Sequence, residues 1–167
     1  MTKTRVLALL PCVSLLVAWG QEVNPEVSQR LIADGAELTR VASGFSFTEG
    51  PAADRDGNVL FTDQPNNRIL KWSVDGTVSV FMEGAGRANG LSFDRSGNLL
   101  ACADQDSQLW RISPDREVSV LVTDVDGKRL NGPNDVWVSR AGGIYFTDPY
   151  FQRDYWSRTE PEMESEN

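Results

Sequence analysis

The stretch that decides the fold is "NGLSFDRSGNLLACADQDSQLWRISPDREVSVLVTD", residues 89–124. Short apolar runs alternate there with the polar connections "DRSGN", "DQDS" and "SPDRE", which have the composition of tight turns. The pattern predicts four short strands, at residues 89–94, 98–103, 108–112 and 118–122. Because the connections are so short, we expect consecutive strands to pair in one antiparallel sheet.

The same plan occurs on both sides of this stretch. Residues 49–83, "EGPAADRDGNVLFTDQPNNRILKWSVDGTVSVFME", precede it, and residues 134–151, "NDVWVSRAGGIYFTDPYF", follow it. The turn glycines and the residues that open the units both recur at spacings of 40 and 45 residues. The glycines are Gly57, Gly97 and Gly142, and the opening residues are Glu49, Asn89 and Asn134. A four-stranded unit of this length is typical of a β-propeller blade, whereas a β-sandwich does not repeat whole units with matching turns.

The repeat predicts only part of a closed propeller. Two units are full, the third stops early, and residues 152–167 form a polar tail. Residues 38–42 suggest one more strand, the outer strand of a closing blade, so the partial propeller is expected at residues 38–151, after an N-terminal extension at residues 21–37. Propellers close with about four to eight blades. We therefore expect this chain to be the N-terminal half of a larger protein, which needs further C-terminal blades to close.

The N-terminus has the pattern of a secretory signal peptide at residues 1–20. Lys3 and Arg5 precede an apolar run at residues 6–18, and small residues lead to a predicted cut after Gly20. The apolar run is shorter than the roughly 20 residues that span a bilayer. The sequence thus predicts a periplasmic or secreted protein that leaves the membrane after cleavage, with an uncleaved anchor as the alternative.

Composition excludes several classes of chemistry. The chain has no His, so Ser-His-Asp and Cys-His catalysis and His-based zinc sites are absent. The net charge of −8 becomes −10 when Lys3 and Arg5 leave with the signal, which argues against nucleic-acid binding and suits cations. Cys102 is the one cysteine outside the predicted signal, so no intrachain disulfide is expected.

The opening residues of the units are the candidate site. The inner strand of each propeller blade lines the central channel, so Glu49, Asn89 and Asn134 are predicted to meet at one mouth of it. Carboxylate and amide oxygens are the ligands that Ca²⁺ prefers. For Asn89 an ordinary turn role is an equal alternative, because Asn tolerates left-handed backbone.

Other acidic residues have structural interpretations. Four are predicted to form turns, and two, both in "FTD", are predicted to brace loops between blades. The turn formers are Asp54, Asp56, Asp94 and Asp115, and the braces are Asp63 and Asp148. Aromatic side chains in strands are expected in the packing between blades; these are Trp72, Phe81, Trp110 and Tyr145.

Four motifs together resemble the gluconolactonase/senescence-marker-protein (regucalcin) family. They are "FTEGP" (47–51), "ANGL" (88–91), "RLNGPND" (129–135) and "GGIYFTDPYF" (142–151), in the family's order and spacing. The resemblance implies a six-bladed propeller with a divalent cation, usually Ca²⁺, at one mouth of the channel. It also implies hydrolysis of small-molecule lactones of sugar acids.

The resemblance also implies roles for single residues. Glu49 and Asn134 match metal ligands of the family, while Asn89, Arg129 and Asn131 match substrate positions. The family's other ligands, including the Asp often taken as the catalytic base, have no counterpart here, so a catalytic residue is not identified. Metal-dependent lactone hydrolysis is thus expected of the complete protein, and this chain is expected to be a fragment that is inactive alone. The alternative function is a non-catalytic extracytoplasmic binding or scaffold module.

Overall fold

Two four-stranded antiparallel sheets follow one another along the chain, and each is one blade. Blade 1 has the strand order β1-β2-β3-β4 and blade 2 the order β5-β6-β7-β8. The strands of blade 1 are β1 (Thr48–Ala53), β2 (Val59–Asp63), β3 (Arg68–Trp72) and β4 (Val78–Glu83). Those of blade 2 are β5 (Ala88–Phe93), β6 (Leu99–Ala103), β7 (Gln108–Ile112) and β8 (Val118–Val122). The four strands predicted for residues 89–124 are confirmed to within one residue at each end.

Four shorter strands follow blade 2. A small hairpin pairs β9 (Asp124–Val125) with β10 (Lys128–Arg129), and β11 (Val136–Val138) pairs with β12 (Ile144–Phe146) as the start of blade 3. The predicted fold class, an all-β partial propeller, is therefore confirmed. Residues 38–42 have no regular secondary structure here, and the strand predicted there, as the outer strand of a closing blade, stays a prediction. A strand requires a neighbouring strand for its backbone hydrogen bonds, and none is paired with this segment.

These elements belong to a computed structural model that describes residues 33–152 and 154–155. The described residues from position 40 onward form one unit, which contains every strand named above. Residues 33–39 belong to a separate unit and contain a turn closed by a hydrogen bond from Ala36 N–H to the Ala33 carbonyl. The predicted signal, most of the extension and most of the polar tail lie outside the described residues. Within the described part, no helix is long and apolar enough to span a membrane.

The first turn of each full blade is closed by an aspartate. Asp54 Oδ1 accepts backbone N–H groups of Asp56 and Asn58, both at 2.9 Å, and Asp94 repeats the arrangement with Ser96 (2.8 Å) and Asn98 (2.9 Å). Burial alone would raise the pKa of the Asp54 carboxyl, but hydrogen bonds from Asn58 and Asp56 outweigh burial and lower it. The turn-forming role predicted for these two residues is thus confirmed.

The core lies between blades packed face to face. Leu99 and Ala101 of β6 pack with Leu60 and Ile69 of blade 1, while Leu100 and Cys102 face the opposite way. The second cluster joins blade 2 to Val136 of blade 3. Every residue of β6 is buried, which explains why its sequence, "LLACA", is apolar without alternation. Burial also raises the pKa of the Cys102 thiol, so this cysteine remains a small apolar core residue.

Candidate functional site

The inner strands of blades 1 and 2 are distorted at the same place. The register of β1 against β2 shifts between Glu49 and Ala52, and that of β5 against β6 shifts between Ala88 and Leu91. An irregularity of this kind bends a strand and redirects its side chains. The predicted site residues at positions 49 and 89 therefore lie where the inner strands leave regular pairing.

Glycine follows each of these site residues because the neighbouring inner strands touch. A Cβ at Gly50 would lie against the carbonyl oxygen of Asn89 and 2.8 Å from the Cα of Gly90. A Cβ at Gly90 would lie 2.6 Å from Asp135 Oδ1 and 2.8 Å from the Asn134 carbonyl, to which the Gly90 N–H donates a hydrogen bond of 2.7 Å. The inner strands of blades 1, 2 and 3 thus approach one another through their backbones.

A threonine hydroxyl adds a second connection between blades 1 and 2. Thr62 is fully buried, and its Oγ1 lies 3.0 Å from the Glu49 carbonyl and 3.1 Å from the Asn89 carbonyl. One hydroxyl has a single proton to donate, so the two carbonyls share it. The spacing of the strands that carry Glu49 and Asn89 is therefore fixed from within β2.

These contacts surround one recess at the start of the inner strands. Its volume is about 360 Å³, and it is lined by Glu49, Gly50, Pro51, Gly90, Leu91, Asn134 and Asp135. Glu49 and Asn134 are both partly buried. The structure brings these two predicted metal ligands into one recess, although they come from different blades and lie 85 residues apart in the sequence. Their role as ligands stays a prediction.

Asp135 is a recess residue that the sequence reasoning missed. It occupies the position after Asn134, where the first two units have Gly50 and Gly90, and its carboxylate packs against Gly90. The replacement of glycine by aspartate in the third unit was visible in the sequence. It does not by itself indicate a recess residue, because an Asn-Asp pair is also an ordinary turn sequence.

Asn89 differs from the other opening residues in its surroundings. It is fully buried, and its Nδ2 donates to Asp104 Oδ2 at 3.3 Å. Gln64 Nε2 donates to the same oxygen, also at 3.3 Å, while Gln64 Oε1 accepts a hydrogen bond from the Tyr155 hydroxyl. This buried polar network fixes the Asn89 side chain. The predicted contact between Asn89 and substrate stays a prediction.

Neither Arg129 nor Asn131 lines the recess that contains Glu49. Arg129 is exposed in β10, donates from Nη2 to the Asp106 carbonyl at 3.1 Å, and lines a different surface recess together with Asp124. Asn131 is held by Asp148, whose Oδ2 accepts its backbone N–H at 2.8 Å. The substrate roles implied for these two residues stay predictions.

Two aspartates hold the segments that lead into the inner strands. Asp63 Oδ1 accepts the backbone N–H groups of Ser46 (3.0 Å) and Phe47 (3.2 Å), 17 and 16 residues earlier. Asp148 likewise accepts the backbone N–H groups of Asn131 and Gly132, both at 2.8 Å. These residues also lie 17 and 16 positions earlier in the sequence. The predicted bracing role is confirmed for both aspartates, and the braced segments deliver Glu49 and Asn134 to the recess.

The recess fits part of the coordination shell of a hard cation. Glu49 and Asp135 offer carboxylate oxygens and Asn134 offers an amide oxygen, whereas a calcium ion takes six to eight oxygens. In the described part of the chain, no group of three or more His, Cys, Asp or Glu residues is arranged to hold a metal. These three side chains offer fewer oxygens than the shell of a calcium ion requires.

The repeated antiparallel blades, with their inner strands side by side, define a partial β-propeller. The family model described as "SMP-30/Gluconolactonase/LRE-like region" matches residues 47–159. The chain belongs to this family, as the four motifs predicted. The match contains both full blades, the hairpin β9–β10 and the strands of blade 3.

Individual relatives agree with this assignment. A gluconolactonase of Zymomonas mobilis is 34% identical over 124 residues, covering 65% of this chain and 35% of its own length. A solved gluconolactonase of Xanthomonas campestris is 32% identical with a TM-score of 0.70, covering 74% of this chain and 42% of that one. Protein STRICTOSIDINE SYNTHASE-LIKE 4 of Arabidopsis thaliana is 28% identical, covering 89% of this chain and 41% of its own length. The chain thus spans about a third to a half of the length of these relatives.

Proposed function

We propose that the complete protein to which this chain corresponds hydrolyses a lactone of a sugar acid at the mouth of the propeller channel, with the help of a divalent cation such as Ca²⁺. The observation that carries the proposal is the common recess of Glu49 and Asn134. Two relatives more than 30% identical are gluconolactonases, which supports the lactone as the substrate class. The N-terminal pattern further supports action in the periplasm or outside the cell.

In this proposal, the residues of the chain bind the cation and orient it toward the lactone. The Glu49 carboxylate and the Asn134 amide oxygen would bind the cation, which supplies polarisation of the lactone carbonyl when bound. Glu49 serves as a ligand rather than as the proton acceptor, because coordination favours its ionised form. The backbone N–H of Asn134 donates to the Thr147 carbonyl at 2.9 Å, and this fixed backbone supports the proposed role.

The first prediction concerns Glu49. Glu49→Gln keeps the size of the side chain and removes its charge, so we expect at least a tenfold loss of Ca²⁺ affinity in the complete protein, measured by calorimetry. Glu83→Gln, at the end of the outer strand β4, is the matched control and should leave affinity within twofold. Unchanged Ca²⁺ affinity in Glu49→Gln would remove this residue from the site.

Activity is tested separately. Hydrolysis of glucono-1,5-lactone by the complete protein, followed with a pH indicator, should occur in Ca²⁺ and stop with EDTA. No metal-dependent rate would favour the second candidate, a non-catalytic binding module. The Arabidopsis relative matches 89% of this chain under a name that is not a lactonase name, so the fold alone does not establish the activity.

A further inference from the structure

Asp135 is the one recess residue whose position the repeat does not explain. The corresponding positions of the first two units are Gly50 and Gly90, and close backbone contact requires glycine there. In the third unit this position is Asp135, whose carboxylate occupies the space left open by Gly90. The missing side chain of blade 2 thus makes room for an acidic side chain from blade 3.

The Asp135 carboxylate is held in a fixed orientation. Its backbone N–H donates to Thr147 Oγ1 at 3.0 Å, and its carbonyl accepts the Thr147 N–H at 2.9 Å. Its Oδ1 accepts the N–H of Val136 at 2.9 Å. These bonds fix the residue from both sides, while the side chain remains exposed at the recess.

We propose that Asp135 is a second carboxylate of the cation site and raises the negative charge of the recess from −1, due to Glu49, to −2. A charge of −2 matches a divalent ion, and the number of charged ligands is a main determinant of Ca²⁺ affinity. Asn134 is neutral, so no other lining residue adds charge. The inference rests on the cation part of the proposed function and adds a residue to that same site.

The test uses the 167-residue chain freed of metal with a chelator and titrated with Ca²⁺ in a calorimeter. Asp135→Asn keeps an oxygen for the Val136 N–H and removes the charge. We expect its affinity to fall at least tenfold. Asp126→Asn is the control, because this exposed aspartate in the β9–β10 turn carries the same charge and its left-handed backbone, with a φ of 54°, suits Asn.

Three results would overturn the proposal. The first is an affinity of Asp135→Asn within twofold of the wild type. If Glu49→Gln, measured in the same 167-residue chain, is weakened, the site exists without Asp135. The second is an equal loss in Asp126→Asn, which would assign the effect to net charge. The third is no Ca²⁺ binding by the wild-type chain. Circular dichroism should show that both variants fold like the wild type, and lactone hydrolysis by the complete protein is judged independently of all three results.

Discussion

Asp63 shows how much of the recess depends on a single carboxylate that does not line it. Both of its oxygens are used: Oδ1 by the backbone of residues 46 and 47, and Oδ2 by Asn66 (2.8 Å) and by Arg68, whose Nη2 lies at 2.9 Å. Burial would raise the pKa of Asp63, yet the bonds from Asn66, Arg68 and the backbone lower it. The same bonds hold the segment that leads directly to Glu49.

We therefore expect Asp63→Asn to destabilise the chain by about 2–4 kcal/mol at pH 7, because it leaves buried donors and the Arg68 guanidinium without their anion. Urea unfolding measures the change, and Asp115→Asn, at an exposed turn position, should cost far less. An equal cost for both variants would contradict the role given to Asp63.

The lowered pKa of Asp63 also gives its contribution a pH dependence. A carboxyl whose folded pKa is depressed stabilises the fold fully above its unfolded pKa of about 3.9, and that contribution is lost as the pH falls through the folded value. The difference in unfolding free energy between wild type and Asp63→Asn should thus be constant from pH 7 to pH 5 and shrink below about pH 4.

At the scale of the strand, the recess depends on backbone contact between β1, β5 and the start of blade 3. Gly50 has a φ of 56° and a neighbouring strand within van der Waals distance, whereas Gly76 has a φ of 88° in an open turn with nothing within 4 Å. The two glycines separate the effect of crowding from that of backbone strain.

Gly76→Ala should cost about 1–2 kcal/mol, the strain of an L-residue in a left-handed conformation. Gly50→Ala should cost at least about 2 kcal/mol more, because the new methyl group would also push blade 2 away from blade 1. Thermal and urea unfolding of both variants measure the difference. Equal costs would show that the inner strands separate easily.

The sequence predicted the local features of these elements better than the contacts between them. The turns at Asp54 and Asp94 are determined by hydrogen bonds within five residues, so the local sequence is enough to predict them. The burial of Asn89 and the place of Asp135 depend on how closely blades approach, which no local pattern specifies. The strand predicted at residues 38–42 stays a prediction for the same reason, since a strand forms only beside a partner strand and these residues have no regular secondary structure here.

At the scale of the whole molecule, the two faces of blade 3 differ. Val136 and Phe146 pack toward blade 2, whereas Trp137 and Tyr145 point the other way, each 60% exposed, with ring centroids 5.4 Å apart. Tyr145 was expected in the packing between blades, and in this chain it is exposed. Adjacent exposed aromatic rings on a sheet face are typical of an interaction surface or an aggregation hazard.

Replacing both rings, in Trp137→Ser/Tyr145→Ser, should reduce the self-association of the 167-residue chain, because it removes the apolar contact area of this face. Light scattering coupled to size-exclusion chromatography measures the average mass across a concentration series. Val74→Ser is the control, since Val74 is 64% exposed in a turn away from blade 3. A mass that falls equally in both proteins, or in neither, would rule out this face as the main contact.

The shared hydroxyl of Thr62 has a consequence for the thermodynamics of ligand capture. It ties the carbonyls of Glu49 and Asn89, and the Gly90 N–H ties blade 2 to Asn134. The backbone around the recess is thus ordered before any ion arrives, and little conformational entropy remains to be lost on binding. For the cation proposed above, we therefore expect binding to be driven by the release of hydration water, with a small heat of binding and a favourable entropy.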